Sequence, residues 1–300
     1  MANPSISCIM PASPIDALPR PLAVVIHDAG AANMIAAWAE AASAPPEMVV
    51  AAGPAAAIWR TRFGEDVSIA DTAEALGDMA SVLSGTGWAS DLEHRARVFA
   101  AKRGICSVAV IDHWVNYAMR FEREGEAQLP DAIWVGDADA KRIARAAFPD
   151  TPIEQHPNLY LKQQAREAGP VPADGDVLFL MEPARSMWGK DKEGEFQALD
   201  YFIERRDCTG IPADKPLRIR PHPSDPPGKY DDWTTAHDDA LLDTSPDMAH
   251  ALTSARWVVG LHSAGLVIAL EAGRNVISAL PPHAPCCALP HAAITRLSEL

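Results

Sequence analysis

The 300-residue chain has few cysteines, little basic charge and no long apolar run, and each shortage excludes a class of protein. Its five cysteines, Cys8, Cys106, Cys208, Cys286 and Cys287, are odd in number and scattered, which excludes a disulfide framework and suits a reducing cytoplasm. Lys and Arg number 26 against 40 Asp and Glu, giving a net charge of -14. Phosphate backbones are bound by basic surfaces, so nucleic acid is excluded as a general partner, and any anionic ligand must meet a local positive site. No apolar stretch approaches the roughly 18 residues of a membrane span, which leaves room only for peripheral membrane association. The first 20 residues lack the basic start and continuous apolar segment of a signal peptide, and prolines interrupt them. A flexible tail over 1–20 and a cytoplasmic location are expected.

Two further shortages concern cofactors. The segment from His27 to Asn33, HDAGAAN, carries one glycine where a dinucleotide fingerprint needs three, so no redox cofactor is expected. His283, Cys286, Cys287 and His291 lie close together in sequence, but adjacent cysteines are not the spacing of a structural zinc site. No metal is expected.

What the chain does have is short β-rich runs alternating with amphipathic stretches from end to end, the pattern of parallel sheets wrapped by helices. Around residues 166 to 176 Gly, Pro and Asp gather without apolar periodicity, and a fresh strand, DVLFLMEP, follows. The α/β chain therefore divides into two Rossmann-like domains facing a cleft, over 21–168 and 174–300, with AAITRLSEL (292–300) left for a final helix. The segments SGTGWASDLE (84–93) and HSAGLVIALE (262–271) echo one another without gaps, pairing Gly87 with Gly265, Leu92 with Leu270 and Glu93 with Glu271. The echo reads either as two equivalent turns or as coincidence between two crossover units.

Two motifs in the second half carry chemistry. In GLHSAG an apolar strand ends in His262, Ser263 stands at the N-cap of a helix, and Ala264 and Gly265 open that helix. A helix N-terminus offers unpaired N–H groups and partial positive charge, which suits a phosphate or carboxylate, although Ser263 could equally be a simple cap. In LRIRPHP the residues Arg218, Arg220 and His222 alternate onto one side of a strand, where their charges must meet something, and His222 is locked between prolines at the strand's end. The loop after DVLFLMEP, upstream of LRIRPHP, adds Arg185, Lys190 and Lys192 as candidate cations or as a solvated basic surface.

The order and separation of these two pieces resemble the HP and Ser motifs of bacterial GT-B glycosyltransferases that use CMP-activated acidic sugars, the sialyl-, polysialyl- and Kdo-transferases. The resemblance covers mainly residues 176 to 282. It implies an inverting transferase that takes a nucleotide-sugar donor, favouring a CMP-sugar, and a glycan or other acceptor in surface polysaccharide or glycoconjugate synthesis. It also implies that His222 and Ser263 contact the nucleotide phosphate, with Arg220, Ala264 and Gly265 beside them. The family commonly shows a paired Ser or Ser-Thr, whereas this chain has His262-Ser263-Ala264.

The first half would then hold the acceptor and the base. Inverting transfer needs a group that removes the acceptor hydroxyl's proton. The resemblance leads one to expect an acidic pair followed by Gly, which the first half lacks. Asp112 is favoured, with Asp28 and His27 as alternatives, each of which could instead serve a helix cap. His113, Trp114 and Asn116 beside Asp112, and Gly87 in the echo, are expected at the acceptor sugar. Two other readings remain open: a nucleotide-sugar enzyme of the UDP-N-acetylglucosamine 2-epimerase type, and a non-catalytic sugar-nucleotide-binding protein.

Overall fold

The computed structural model describes residues 13–64, 73–184, 186–237 and 239–300. Contacts divide the chain into two compact units that meet between Tyr160 and Leu161, several residues before the expected loop.

Unit 1 is a six-stranded parallel sheet of β1 (Leu22–Ile26), β2 (Met48–Ala51), β3 (Ser81–Ser84), β4 (Cys106–Ile111), β7 (Ala132–Val135) and β8 (Ile153–Gln155). A small antiparallel hairpin, β5 (Glu122–Arg123) and β6 (Glu126–Ala127), interrupts the series. The helices are α1 (Ala29–Ala41), α2 (Gly53–Phe63), α3 (Leu92–Arg103) and α4 (Ala138–Ala147), while α5 (Leu159–Ala168) starts at the division and belongs mostly to unit 2. Strand β1 reads LAVVI and is buried throughout, as a parallel strand covered on both faces must be. Its alternate residues serve two cores. Leu22, Val24 and Ile26 pack with Trp38, Trp59 and Met34, while Ala23 and Val25 pack with Val82, Leu92 and Ala96.

The strand order is β2-β1-β3-β4-β7-β8. The chain passes from β1 to β2 on one side and returns to place β3 on the other, so the order reverses between β1 and β3. In open α/β sheets ligands bind at the carboxyl ends of the strands at such a reversal.

Unit 2 comprises β9 (Asp176–Leu180), β10 (Leu217–Arg220), β11 (Ala240–Leu242), β12 (Ala255–Gly260), β13 (Asn275–Ser278) and β14 (Thr295–Arg296), again all parallel. Its helices are α6 (Gly194–Arg205), α7 (Asp231–Thr235), α8 (Met248–Leu252) and α9 (Ala264–Glu271). The order β11-β10-β9-β12-β13-β14 reverses between β9 and β12. The core joins Val177, Phe179, Ile219, Val259 and Ile277 from the strands to Phe202 and Trp233 from the helices. Arg274, 3% exposed, donates to the carbonyls of Ala168, Gly169, Leu252, Ala255 and Ala272. It therefore ties the lead-in of β9 to the far end of the unit.

Three expectations need correction. Residues 13–20 are not a loose tail: Ser13 caps a short 3-10 helix at Pro14–Ala17 and donates to the Trp38 carbonyl at 2.6 Å, and Ile15 is fully buried. Two apolar residues with a cap suffice to dock this short segment, and residues 1–12 of the expected tail lie outside the described residues. The last nine residues form no helix but the edge strand β14 and a 3-10 turn, because Ile294 and Leu297 are buried. The gapless echo also fails in register: α3 starts at Leu92 and α9 at Ala264, six positions apart in that alignment.

Candidate functional site

In unit 1 the reversal brings His27 and Asp28, just past β1, beside Gly85, Thr86 and Gly87, just past β3, with Asp112 at the end of β4. Asp28 occupies the N-cap position of α1 but forms no side-chain cap. Its Oδ1 lies 2.7 Å from His27 Nδ1 instead, and its carboxylate is 34% exposed. Asp112 caps nothing either. Its Oδ1 accepts from Arg120 Nη1 at 3.2 Å, and it is 16% exposed against 5% for the arginine.

Both carboxylates press on glycine. A β-carbon on Gly87 would stand 2.1 Å from Asp28 Oδ2, and one on Gly30 would stand 1.8 Å from Asp112 Oδ2. These approaches explain the glycines on steric grounds, so Gly87 makes room for Asp28.

Beneath them lies a group that the sequence did not single out as a site. Glu93, in the first turn of α3, is fully buried and accepts from His27 N at 2.9 Å and from Gly87 N at 2.5 Å. One carboxylate thus bridges the two strand ends across the reversal. Burial pushes its pKa up to about 7, although the two backbone donors and nearby Arg97 favour the ionised form. Arg97, also fully buried, donates to Gly85 O at 2.9 Å and to Ser84 Oγ at 3.2 Å, and burial lowers its pKa to about 10. Along α3 the run LEHRAR reads as a solvated helix face, and only the Glu93–Arg97 spacing of four hinted at a pair.

The expected sugar contacts divide. Trp114 is 8% exposed and gives its indole N–H to Asp137 Oδ2 at 2.7 Å, while the other Asp137 oxygen caps α4. This residue is part of the packing rather than an open stacking surface. Asn116 is exposed at φ 59°, a left-handed turn position that Asn tolerates well. His113 accepts from Trp114 N through Nδ1 and lines a small cavity with Met34, Asp112, Asp137 and Asn158.

In unit 2 the reversal places Glu182, just past β9, against His262, just past β12. Glu182 Oε2 accepts from His262 N at 3.0 Å, and Oε1 lies 3.3 Å from the imidazole Nε2. Ser263 is the N-cap residue of α9, yet its side chain makes no capping hydrogen bond. Ala264 is exposed at the helix mouth. A β-carbon on Gly265 would meet Met248 Cε at 2.8 Å and Leu180 Cδ1 at 2.9 Å, so packing accounts for this glycine without a ligand.

One strand over, the His222 corner is built from buried charge. Asp225 accepts from His222 N at 2.8 Å, Tyr230 Oη at 2.8 Å and Lys229 Nζ at 2.7 Å. Lys229 also reaches Glu195 Oε1 at 2.6 Å. Burial would raise the Asp225 pKa, but Lys229, Tyr230 and the His222 N–H together hold it below the usual carboxylate range. Ser224 holds the His222 ring through Nδ1, with its N–H at 3.2 Å and its hydroxyl at 2.7 Å. Arg218 and Arg220 meet the charges that their strand requires: Arg218 grips Asp176 and Asp243, and Arg220 reaches the other Asp243 oxygen at 2.5 Å. Arg220 is thus engaged inside the protein, where a nucleotide contact was expected. Lys192 pairs with Asp200, Lys190 is exposed, and Arg185 lies outside the described residues.

No protein-family model matches the chain, and no curated protein does. Among solved structures, the fold is similar to that of a Listeria monocytogenes protein described as a UDP-N-acetylglucosamine 2-epimerase. The TM-score is 0.56 at 15% identity, over 87% of this chain and 79% of that one. A structure described as the glycotransferase of kitacinnamycin aligns with TM-score 0.47 and 13% identity, over 94% of this chain and 88% of that one. At 15% identity the first likeness speaks for fold alone: two successive Rossmann-like units of the GT-B type. Among the described residues no helix is long and apolar enough to cross a membrane, and no group of three or more His, Cys, Asp or Glu could hold a metal ion.

Proposed function

We propose that the chain is a GT-B glycosyltransferase that takes a sugar from a nucleotide-linked donor and moves it, with inversion, to a hydroxyl of a glycan. The observation that carries this reading is Ser263: it sits at the N-terminus of α9 with its hydroxyl unspent on capping. One strand, β9, separates β10, which leads to the His222 corner, from β12, which leads to Ser263, so the two strand ends are two inter-strand spacings or about 10 Å apart. A diphosphate or monophosphate bridges such a span. The Ser263 hydroxyl, the N–H groups that open α9 and His222 Nε2 would share the charge that develops on the leaving phosphate.

In unit 1 the base is assigned to Asp28. It is the more exposed of the two carboxylates, and a histidine rather than an arginine holds its other oxygen. Asp28 takes the acceptor's proton as the hydroxyl oxygen attacks the anomeric carbon and the nucleotide departs with the bonding pair. The favoured donor is a CMP-linked acidic sugar such as sialic acid or Kdo, a choice supported by the order of the His222 and Ser263 motifs.

The test is thermal. CMP should raise the melting temperature more than UDP or GDP do, and His222→Ala should remove the shift. Equal shifts from all three, or none, would sink the CMP assignment. One observation favours a second reading: the Glu182–His262 pair supplies acid-base chemistry within the nucleotide unit itself. Consumption of UDP-N-acetylglucosamine without an acceptor would select an epimerase of that kind.

A further inference from the structure

Trp88 takes no part in the transfer proposed for Asp28, His222 and Ser263, yet it is the large aromatic at the β1/β3 reversal that stands open, 47% exposed. One face of its ring is occupied. The Arg120 guanidinium lies 4.9 Å from the ring centroid while it pairs with Asp112.

The backbone that presents Trp88 is clamped on both sides of the preceding peptide. Gly87 N donates to Glu93 Oε2, and Gly87 O accepts from Arg123 Nη2 at 2.7 Å. Thr86 Oγ1 donates to the Val110 carbonyl at 2.9 Å. An exposed indole on so constrained a loop is already ordered, so a ligand that stacks on it loses little further conformational freedom.

The chemistry around the ring selects the ligand. Asp112 is joined to Trp88 through Arg120, and Asp28 packs on the residue before it. Two carboxylates accept hydroxyl hydrogens and repel phosphate, and the charge of Arg120 is already matched by Asp112. A nucleotide is therefore disfavoured here, and a neutral ring with an apolar C–H face and hydroxyls at its rim fits. We propose that Trp88 is the stacking platform for a pyranose ring of the glycan acceptor. The identity of the ring as the acceptor rests on the transferase reading, but the carbohydrate site itself stands or falls separately.

The experiment uses the full chain without nucleotide. Binding of lactose, cellobiose, maltose and chitobiose is measured by saturation-transfer NMR and titration, for the wild type, Trp88→Phe and Trp88→Ala. Melting temperatures with and without CMP are recorded in parallel. The expected result is that at least one disaccharide binds the wild type and that Trp88→Ala weakens it by about threefold to tenfold, the scale of one aromatic contact. Trp88→Phe should keep part of the affinity, and any CMP shift should be the same in all three proteins. Absence of binding by all four disaccharides, or equal binding by Trp88→Ala, would overturn the platform. So would loss of the CMP shift in Trp88→Ala, since the ring would then serve the nucleotide. Disaccharide binding without any nucleotide shift would keep the platform and fell the transferase reading instead.

Discussion

The Asp28 carboxylate rests on the α-carbon of Gly87 so closely that a single methyl group there would stand 2.1 Å from Oδ2. Gly30 stands in the same relation to Asp112 at 1.8 Å. Gly87→Ala and Gly30→Ala should therefore each cost about 1 to 3 kcal/mol of stability and displace the carboxylate concerned. Gly77→Ala, with nothing within 4 Å of the added carbon, is the control and should change stability by less than about 0.5 kcal/mol. Urea midpoints of the three variants decide the matter: equal losses would contradict the packing argument.

Glu93 makes stability depend on pH. Burial raises its pKa from 4.5 to about 7, so the folded protein holds this proton more tightly than the unfolded chain does. The contribution is fully present below pH 4.5 and is lost as pH rises through 7, a decline of roughly 3 kcal/mol from this group. Groups that face it are Arg97 on its own helix and Asp28 and the His27 N–H from the end of β1. Glu93→Gln should be less stable than the wild type below pH 5, because the amide NH2 has no acceptor for the second backbone N–H, whereas the hydroxyl oxygen of the protonated carboxyl still has one. It should also lack the decline between pH 5 and 8, and parallel slopes for the two proteins would refute this assignment.

Ser263→Ala separates a cap from a ligand contact. A working N-cap is worth about 1 kcal/mol, as expected for Asp247, which accepts from His250 N at 2.9 Å and caps α8. Asp247→Ala should lose that amount, whereas Ser263→Ala should stay within about 0.5 kcal/mol of the wild type. Its effect should appear in a weaker nucleotide-induced melting shift. A full capping loss at Ser263 with an unchanged shift would make it structural.

The two carboxylates should fail in different ways. Asp28→Asn should abolish transfer while leaving the CMP shift and the melting temperature near wild type. Asp112→Asn strands the buried Arg120 without its counter-charge, so a stability loss of about 3 kcal/mol is expected. If a folded Asp112→Asn loses transfer and Asp28→Asn keeps it, the base is Asp112.

The sequence displayed the parallel architecture because strands such as LAVVI and WVVG are apolar without a break, and because turns punctuate them at regular intervals. It also displayed the HP and Ser corners, where prolines and small residues mark strand ends. What it concealed depends on partners far apart in the chain. Arg218 and Arg220 look like ligand cations until Asp176 and Asp243 fold against them, 23 to 42 residues away. Trp114 looks like a sugar platform until Asp137 takes its N–H, whereas Trp88, in a plain Gly-rich turn, is the indole left open. Glu93 reads as one more charge on a solvated helix because nothing local announces that β1 and β3 converge on it. Burial of a charged residue is set by strand order, and strand order is a long-range property.

Arg274 has a consequence for how the chain comes into being. Its guanidinium closes the loop at Ala168 and Gly169, which opens unit 2, against carbonyls near Leu252 and Ala255. During synthesis the start of this unit must wait, unfastened, for more than a hundred residues until the arginine emerges. The central strand β9 waits with it, since its neighbour β12 is also a late arrival. A ribosome-bound chain arrested before residue 274 should accordingly carry an open second unit beside a first unit whose strands are all already made.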